Sequence, residues 1–161
     1  MRTRAMLFLG LCVALISACG FQLQGRQSLP AALSAVNIDA VDRQSEFTQA
    51  LRSALVTSGA HMVEPAAADT TVVRIRKDAV TERVLTVSSR NIPTDYELVY
   101  DVEVSVRSGG KEILPAEKFS LSRVYSFDET KLLAKEREKE ILIEALARDM
   151  ASVVTRRLSS L

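Results

Sequence analysis

Cysteine is almost missing from this chain: of 161 residues only Cys12 and Cys19 are cysteines, so nothing after Cys19 can supply a thiol. A disulfide framework is thereby excluded from the body of the protein, which must hold together by packing. Histidine is scarcer still. His61 stands alone behind a glycine that ends a helical pattern, without the partners that a metal site or a general base would need, and reads as a rim residue. An excess of charge of one sign is also lacking, with 21 basic and 20 acidic side chains overall. Without residues 1–18 the balance is 19 basic against 20 acidic, a net −1, which attracts no polyanion. Arg74, Arg76, Lys77 and Arg83 lack the interleaved aromatic residues on which a single-strand binder stacks bases, so they read as a solvated strand face and nucleic acid is not expected. No apolar run reaches the roughly 20 residues that a membrane-spanning helix requires.

What is present begins at the N-terminus. Arg2 and Arg4 precede an apolar run from Ala5 to Ile16, and the small pair Ser17-Ala18 stands just before Cys19. That order is a lipoprotein export signal: residues 1–18 are expected to be removed and Cys19 to be lipidated. One acyl chain anchors marginally and two or more anchor stably, at about 0.8 kcal/mol per buried methylene. Residues 19–30, with Gly25 and Pro30, read as a lipidated tether ending in a turn. Gly20 follows the cysteine where an aspartate commonly retains such proteins at the inner membrane, which favours the outer membrane with the body facing the periplasm.

Residues 31–161 are long enough for one domain with one core. Ala35 to Val41 is a short strand pattern. Ser45 can cap a helix whose apolar residues Phe47, Ala50, Leu51, Ala54 and Leu55 share one face before Ser58-Gly59 stops it. Residues 63–70 form a connection. Thr71 to Val87 is rich in β-branched residues, yet its apolar parity changes midway, which predicts a strand interrupted by a bulge. Tyr96 to Arg107 alternates cleanly, with Tyr96, Leu98, Tyr100, Val102, Val104 and Val106 on one face. Ser108-Gly109-Gly110 permits a reversal into an antiparallel strand carrying Phe119, Leu121, Tyr125 and Phe127. A long terminal helix follows, capped by Ser126 or Asp128, with Ile143, Leu146, Ala147, Met150, Val153 and Val154 along one stripe. The order β-α-β-β-β-α predicts an α+β sandwich of two layers, two helices on one face of a four-stranded mixed sheet.

The catalytic inventory is poor. None of Ser88, Ser89, Ser120 or Ser122 sits in a nucleophile context, and Glu97, Asp101 and Glu103 share a strand face without the contrasting environments that paired acid and base work needs. No enzyme activity, metal or cofactor is expected. Arginines on a strand and in the Ser88-Ser89-Arg90-Asn91 loop can also meet phosphates through their fork of donors.

Cys19-Gly20-Phe21-Gln22-Leu23, together with Tyr125-Ser126-Phe127 leading into Leu132-Leu133-Ala134-Lys135-Glu136, resembles the LPS-assembly lipoprotein family LptE. The resemblance implies a protein that plugs the lumen of the outer-membrane β-barrel LptD as a heterodimer, assists its assembly and binds lipopolysaccharide for delivery to the surface. It also implies three acyl chains on Cys19 and lipopolysaccharide-binding roles for Arg90 and Lys135. Many relatives carry a basic residue where Gln24 stands, and Arg26 only partly replaces it. The alternative is a lipoprotein adaptor of another envelope machine, such as a regulator of a cell-wall synthase.

Overall fold

The computed structural model describes residues 29–67 and 70–161. Cys19, the export signal and most of the tether lie outside the described residues. Among those described, no helix is long and apolar enough to cross a membrane.

After a single 3-10 turn at Ala31–Leu33, strand β1 (Ala35–Ala40) leads to helix α1 (Glu46–Thr57). The Ser45 hydroxyl accepts from the Thr48 amide at 3.1 Å, which satisfies one of the free donors of the first turn. Gly59, at φ +100°, ends the helix by adopting a left-handed conformation that a side chain would resist. Strand β2 (His61–Met62) follows, then the long β3 (Thr71–Val87), β4 (Pro93–Ser108) and β5 (Lys111–Ser126). Phe127, expected within the last strand, falls just past its end at Ser126. A second 3-10 turn at Glu129–Lys131 opens helix α2 (Leu132–Ser159). Of the two candidate caps, Asp128 caps this turn, its carboxylate accepting from the Thr130 amide at 3.0 Å, while α2 itself starts after Lys131 without a side-chain cap.

The sheet has five strands in the order β2-β1-β3-β4-β5, one more than the four expected. The additional strand is β2, two residues that pair parallel to β1 at the sheet's edge. So short a segment has no periodicity to betray it. It is fixed from outside: the His61 amide donates to Ser34 at 2.8 Å, and the Asn37 side chain donates to the Val63 carbonyl at 2.8 Å. His61 itself is exposed. β1 is also parallel to β3, whereas β3, β4 and β5 form an antiparallel meander, so the sheet is mixed.

Both helices cover one face of this sheet. Phe47, Leu51 and Leu55 of α1 and Leu146, Ala147, Met150, Val154 and Leu158 of α2 share one core with Val73, Ile75, Leu98, Tyr100, Val102, Val104 and Val106. The alternation in β4 is realised from Leu98 onward, while Tyr96 is half-buried near the sheet's end. Each buried Leu or Val contributes about 1.5–3 kcal/mol by leaving water. The parity change in β3 has the anticipated cause: the register with β4 shifts between Ile75 and Lys77. Odd residues Val73 and Ile75 face the helices before the shift, and even residues do so after it, because Asp78, Val80, Glu82 and Val84 lie opposite Val102, Tyr100, Leu98 and Tyr96.

Asp78 uses this placement to join the layers. Its carboxylate accepts from the Tyr100 hydroxyl at 2.8 Å and from the Ser45 hydroxyl, the same group that caps α1. Burial, and then the Asp78 carboxylate beside it, push the Tyr100 phenol above its ordinary value. Asp78→Ala is expected to lower stability by about 1–3 kcal/mol, because two partly buried hydroxyls lose their acceptor. Leu51→Ala should cost about 2–5 kcal/mol as a cavity opens in the core. Val41→Ala, at an exposed position, should change stability by less than about 0.5 kcal/mol. Urea unfolding followed by circular dichroism measures all three.

Candidate functional site

The hairpin joining β3 to β4 presents Arg90. Ser88 closes the loop: its amide donates to the Ile92 carbonyl at 2.8 Å, its carbonyl accepts from Asn91 at 2.9 Å, and its hydroxyl accepts from the Ile92 amide at 3.2 Å. Asn91 takes the left-handed position at φ +59°, which asparagine tolerates better than most residues. Arg90 stands at the exposed tip beside it.

Lys135 lies in the first turn of α2, where no acidic residue complements the helix dipole. A cation is disfavoured at that end of a helix. Glu138, one turn on, offsets the charge at 2.8 Å, and the Ser126 hydroxyl lies 3.4 Å from the ammonium. Only 16% of the Lys135 side chain is exposed. The two sequence motifs, around Ser126 and around Lys135, are thus in contact. Arg90 belongs to the same end of the sheet. Asp95 of β4 pairs with Ser126 of β5, and the Phe127 amide donates to the Thr94 carbonyl at 2.8 Å, with Thr94 and Asp95 four and five residues beyond Arg90.

The same end of the sheet holds an aromatic cluster. Tyr96 stacks on Tyr125 with centroids 5.7 Å apart and meets Phe127 edge-on at 5.4 Å. The Tyr125 hydroxyl donates to Glu82, which also receives Lys139 at 3.4 Å. Burial, then the Glu82 carboxylate, push the Tyr125 phenol up; the Glu136 carboxylate, followed by Glu82, raises the Lys139 ammonium. Around this cluster Leu132, Leu133, Val84 and Val87 remain exposed. The result is an apolar and aromatic end of the molecule that carries Arg90 and Lys135, a surface suited to anionic groups on an amphipathic molecule.

The basic residues of β3 do something else. Arg74 pairs with Asp39 at 2.7 Å, Lys77 with Asp101 at 3.0 Å and Arg83 with Glu97 at 2.6 Å. Arg76 donates to Ser105 at 3.3 Å. They form a lattice of cross-strand pairs on the face without helices. Hydroxyls contribute as well: Ser122 and then Arg83 hold Glu97 below the usual carboxylate range, and Ser120 and then Lys77 do the same for Asp101. Glu82 and Lys139 had no sequence signal of their own, because Glu82 falls beyond the register shift and Lys139 within a run of alternating charge.

The family model LptE, described as lipopolysaccharide-assembly, matches residues 33–158. Two relatives named LPS-assembly lipoprotein LptE align over nearly the whole chain. The one from Yersinia enterocolitica is 28% identical, over 95% of this chain and 74% of its own length; the one from Pectobacterium atrosepticum is 26% identical, over 94% and 83%. Among solved structures, rare lipoprotein B from Shewanella oneidensis is similar with a TM-score of 0.70 and 28% identity, covering 78% of this chain and 94% of that one. A lipoprotein B from Nitrosomonas europaea shares the fold, with a TM-score of 0.71 at 24% identity over 88% and 91%.

Titration of ring-labelled tyrosines by NMR should find Tyr125 ionising above the ordinary value of 10.0, and Glu82→Gln should bring it down. Ionisation of the parent at the ordinary value would contradict the network. The neutral phenol is the form that the fold prefers, so the stability due to this group is intact below pH 10.0 and is lost as pH rises beyond it.

Proposed function

Because the chain belongs to the LptE family of lipopolysaccharide-assembly lipoproteins, we propose that it works as a lipid-anchored, non-catalytic partner of the outer-membrane barrel LptD, with its body seated in the barrel lumen. Export would remove residues 1–18, and acylation of Cys19 would hold the single domain of residues 31–161 at the periplasmic face of the outer membrane. The anchor raises the local concentration of the body beside the barrel. The polar lattice of Arg74, Lys77 and Arg83 with their carboxylates suits a surface that meets a hydrophilic lumen.

Arg90 and Lys135 are assigned to lipopolysaccharide in this reading, as donors to the phosphates of lipid A. The single observation that carries the assignment is the position of Lys135. Glu138 at 2.8 Å and the Ser126 hydroxyl at 3.4 Å hold its ammonium in place at the same end of the sheet as the β3–β4 hairpin, so that a phosphate there would meet a positioned donor. Arg90 at the neighbouring hairpin tip adds a second donor from a different element, and the exposed Leu132 and Leu133 offer apolar contact close by.

Charge reversal at both positions, Arg90→Glu with Lys135→Glu, should weaken binding of purified lipopolysaccharide about tenfold to a hundredfold for each charged hydrogen bond lost, at about 1.5–3 kcal/mol apiece. The fold should survive, since Arg90 is on an exposed loop and glutamate suits the first turn of a helix. Unchanged binding by a variant with native circular dichroism would overturn the site.

A further inference from the structure

The described residues begin at Leu29, close to one end of the sheet. At the start of β3 the Thr71 hydroxyl lies 2.5 Å from the Ala32 carbonyl and 2.7 Å from the Ser108 hydroxyl, which ties the first turn to the β4–β5 hairpin. α2 ends there too. It runs antiparallel to β5, from Lys135 beside Ser126, through Asp149 at 2.6 Å from Arg123, to Arg157 at 2.9 Å from Glu117. Arg90 and Lys135 mark the opposite end, about 50 Å away along β3 at 3.3 Å per residue.

Ion pairs engage most of the basic side chains among the described residues, and three of the exceptions collect at the end where the tether enters. Arg107, Lys111 and Arg156 are exposed there, with no carboxylate at ion-pair distance among the described residues. Glu112 is the exposed acid beside them, so the group keeps a net charge of +2, three bases less one acid. Arg156 also suits the negative end of the α2 dipole, a role that Arg107 and Lys111 do not have. The Arg107 guanidinium donates to the Gly110 carbonyl at 3.2 Å, which holds it at the rim of an open recess of about 290 Å³ with Arg74 on the other side. An arginine has five donors, so one such contact leaves most of them free.

What faces this end follows from the anchor. Nine residues, 20–28, separate Cys19 from Leu29, a reach of at most about 35 Å when fully extended. They include Arg26 and no acid. We propose that Arg107, Lys111 and Arg156 form a docking surface for anionic phospholipid headgroups of the leaflet that holds the anchor, with Arg90 and Lys135 farthest from those headgroups. The inference rests on acylation of Cys19 and on no other part of the translocon reading. Acyl chains fix where the body is attached; the three bases fix how it is turned.

The test uses the full-length acylated lipoprotein, reconstituted from detergent into phosphatidylcholine vesicles with or without phosphatidylglycerol. Ser160→Cys or Ser89→Cys supplies one thiol for a donor dye, since Cys12 leaves with the signal and Cys19 is blocked, and headgroup-labelled lipid is the acceptor. With phosphatidylglycerol present, energy transfer from position 160 should exceed that from position 89. Arg107→Gln, Lys111→Gln and Arg156→Gln, in variants with native circular dichroism, should lower the ratio of docked to free body about fivefold per base, at about 1 kcal/mol each. High salt should do the same. Equal transfer from the two positions, or transfer from position 160 that neither phosphatidylglycerol nor the three bases alter, would overturn the proposal and leave the anchor standing. A chain that lacks the acyl mass and leaves both kinds of vesicle would overturn the anchor, and this proposal with it.

Discussion

The register shift between Ile75 and Lys77 governs most of what this molecule can do. One inserted residue exchanges the two faces of β3 as far as Val84, beyond which the register shifts again. On the helix side it places Asp78, where it links the α1 cap to Tyr100, and Glu82, where it receives Tyr125 and Lys139. On the other side it aligns Lys77 and Arg83 with Asp101 and Glu97. The point at which β1 departs, the polar lattice and the aromatic end of the sheet all follow from that single irregularity.

The architecture divides the protein by length. Near β1 and α1 the sheet is covered by two helices and its core is closed. Farther along, β3, β4 and β5 extend past α1, and only the N-terminal half of α2 accompanies them. Burial falls accordingly: Val73 and Ile75 are inside, whereas Val84, Val87 and Leu133 reach solvent. Stability is concentrated in the first region and accessible chemistry in the second, so Arg90 and Lys135 can change without touching the core. Their proximity comes from the meander itself, because the β3–β4 turn and the end of β5 must fall at the same end of an antiparallel sheet.

Much of this was legible in the sequence where one periodicity dominated. The alternation from Leu98 to Val106 and the 3-and-4 spacing in both helices identified the core faces, since each pattern permits only one buried side. Ser45 and Gly59 marked the limits of α1 through cap and left-handed geometry. The parity change in β3 signalled a bulge without saying what it would bring together. β2 was invisible because two residues carry no period, and its pairing depends on Ser34, Val36 and Asn37, more than 20 residues earlier. Arg90 and Lys135 were reached through resemblance; no local pattern could reveal that Ser126 would lie beside Lys135, or that Glu82 would meet Tyr125 across 43 residues.

The central claim is that this lipid-anchored sandwich serves by occupying a partner and performs no chemistry of its own. Affinity purification of the tagged full-length protein from outer membranes in mild detergent, with partners identified by mass, tests it most directly. The account predicts a large β-barrel in one-to-one stoichiometry, retained through washing at high salt. A periplasmic enzyme in its place, or a lipoprotein recovered without any stoichiometric partner, would contradict it.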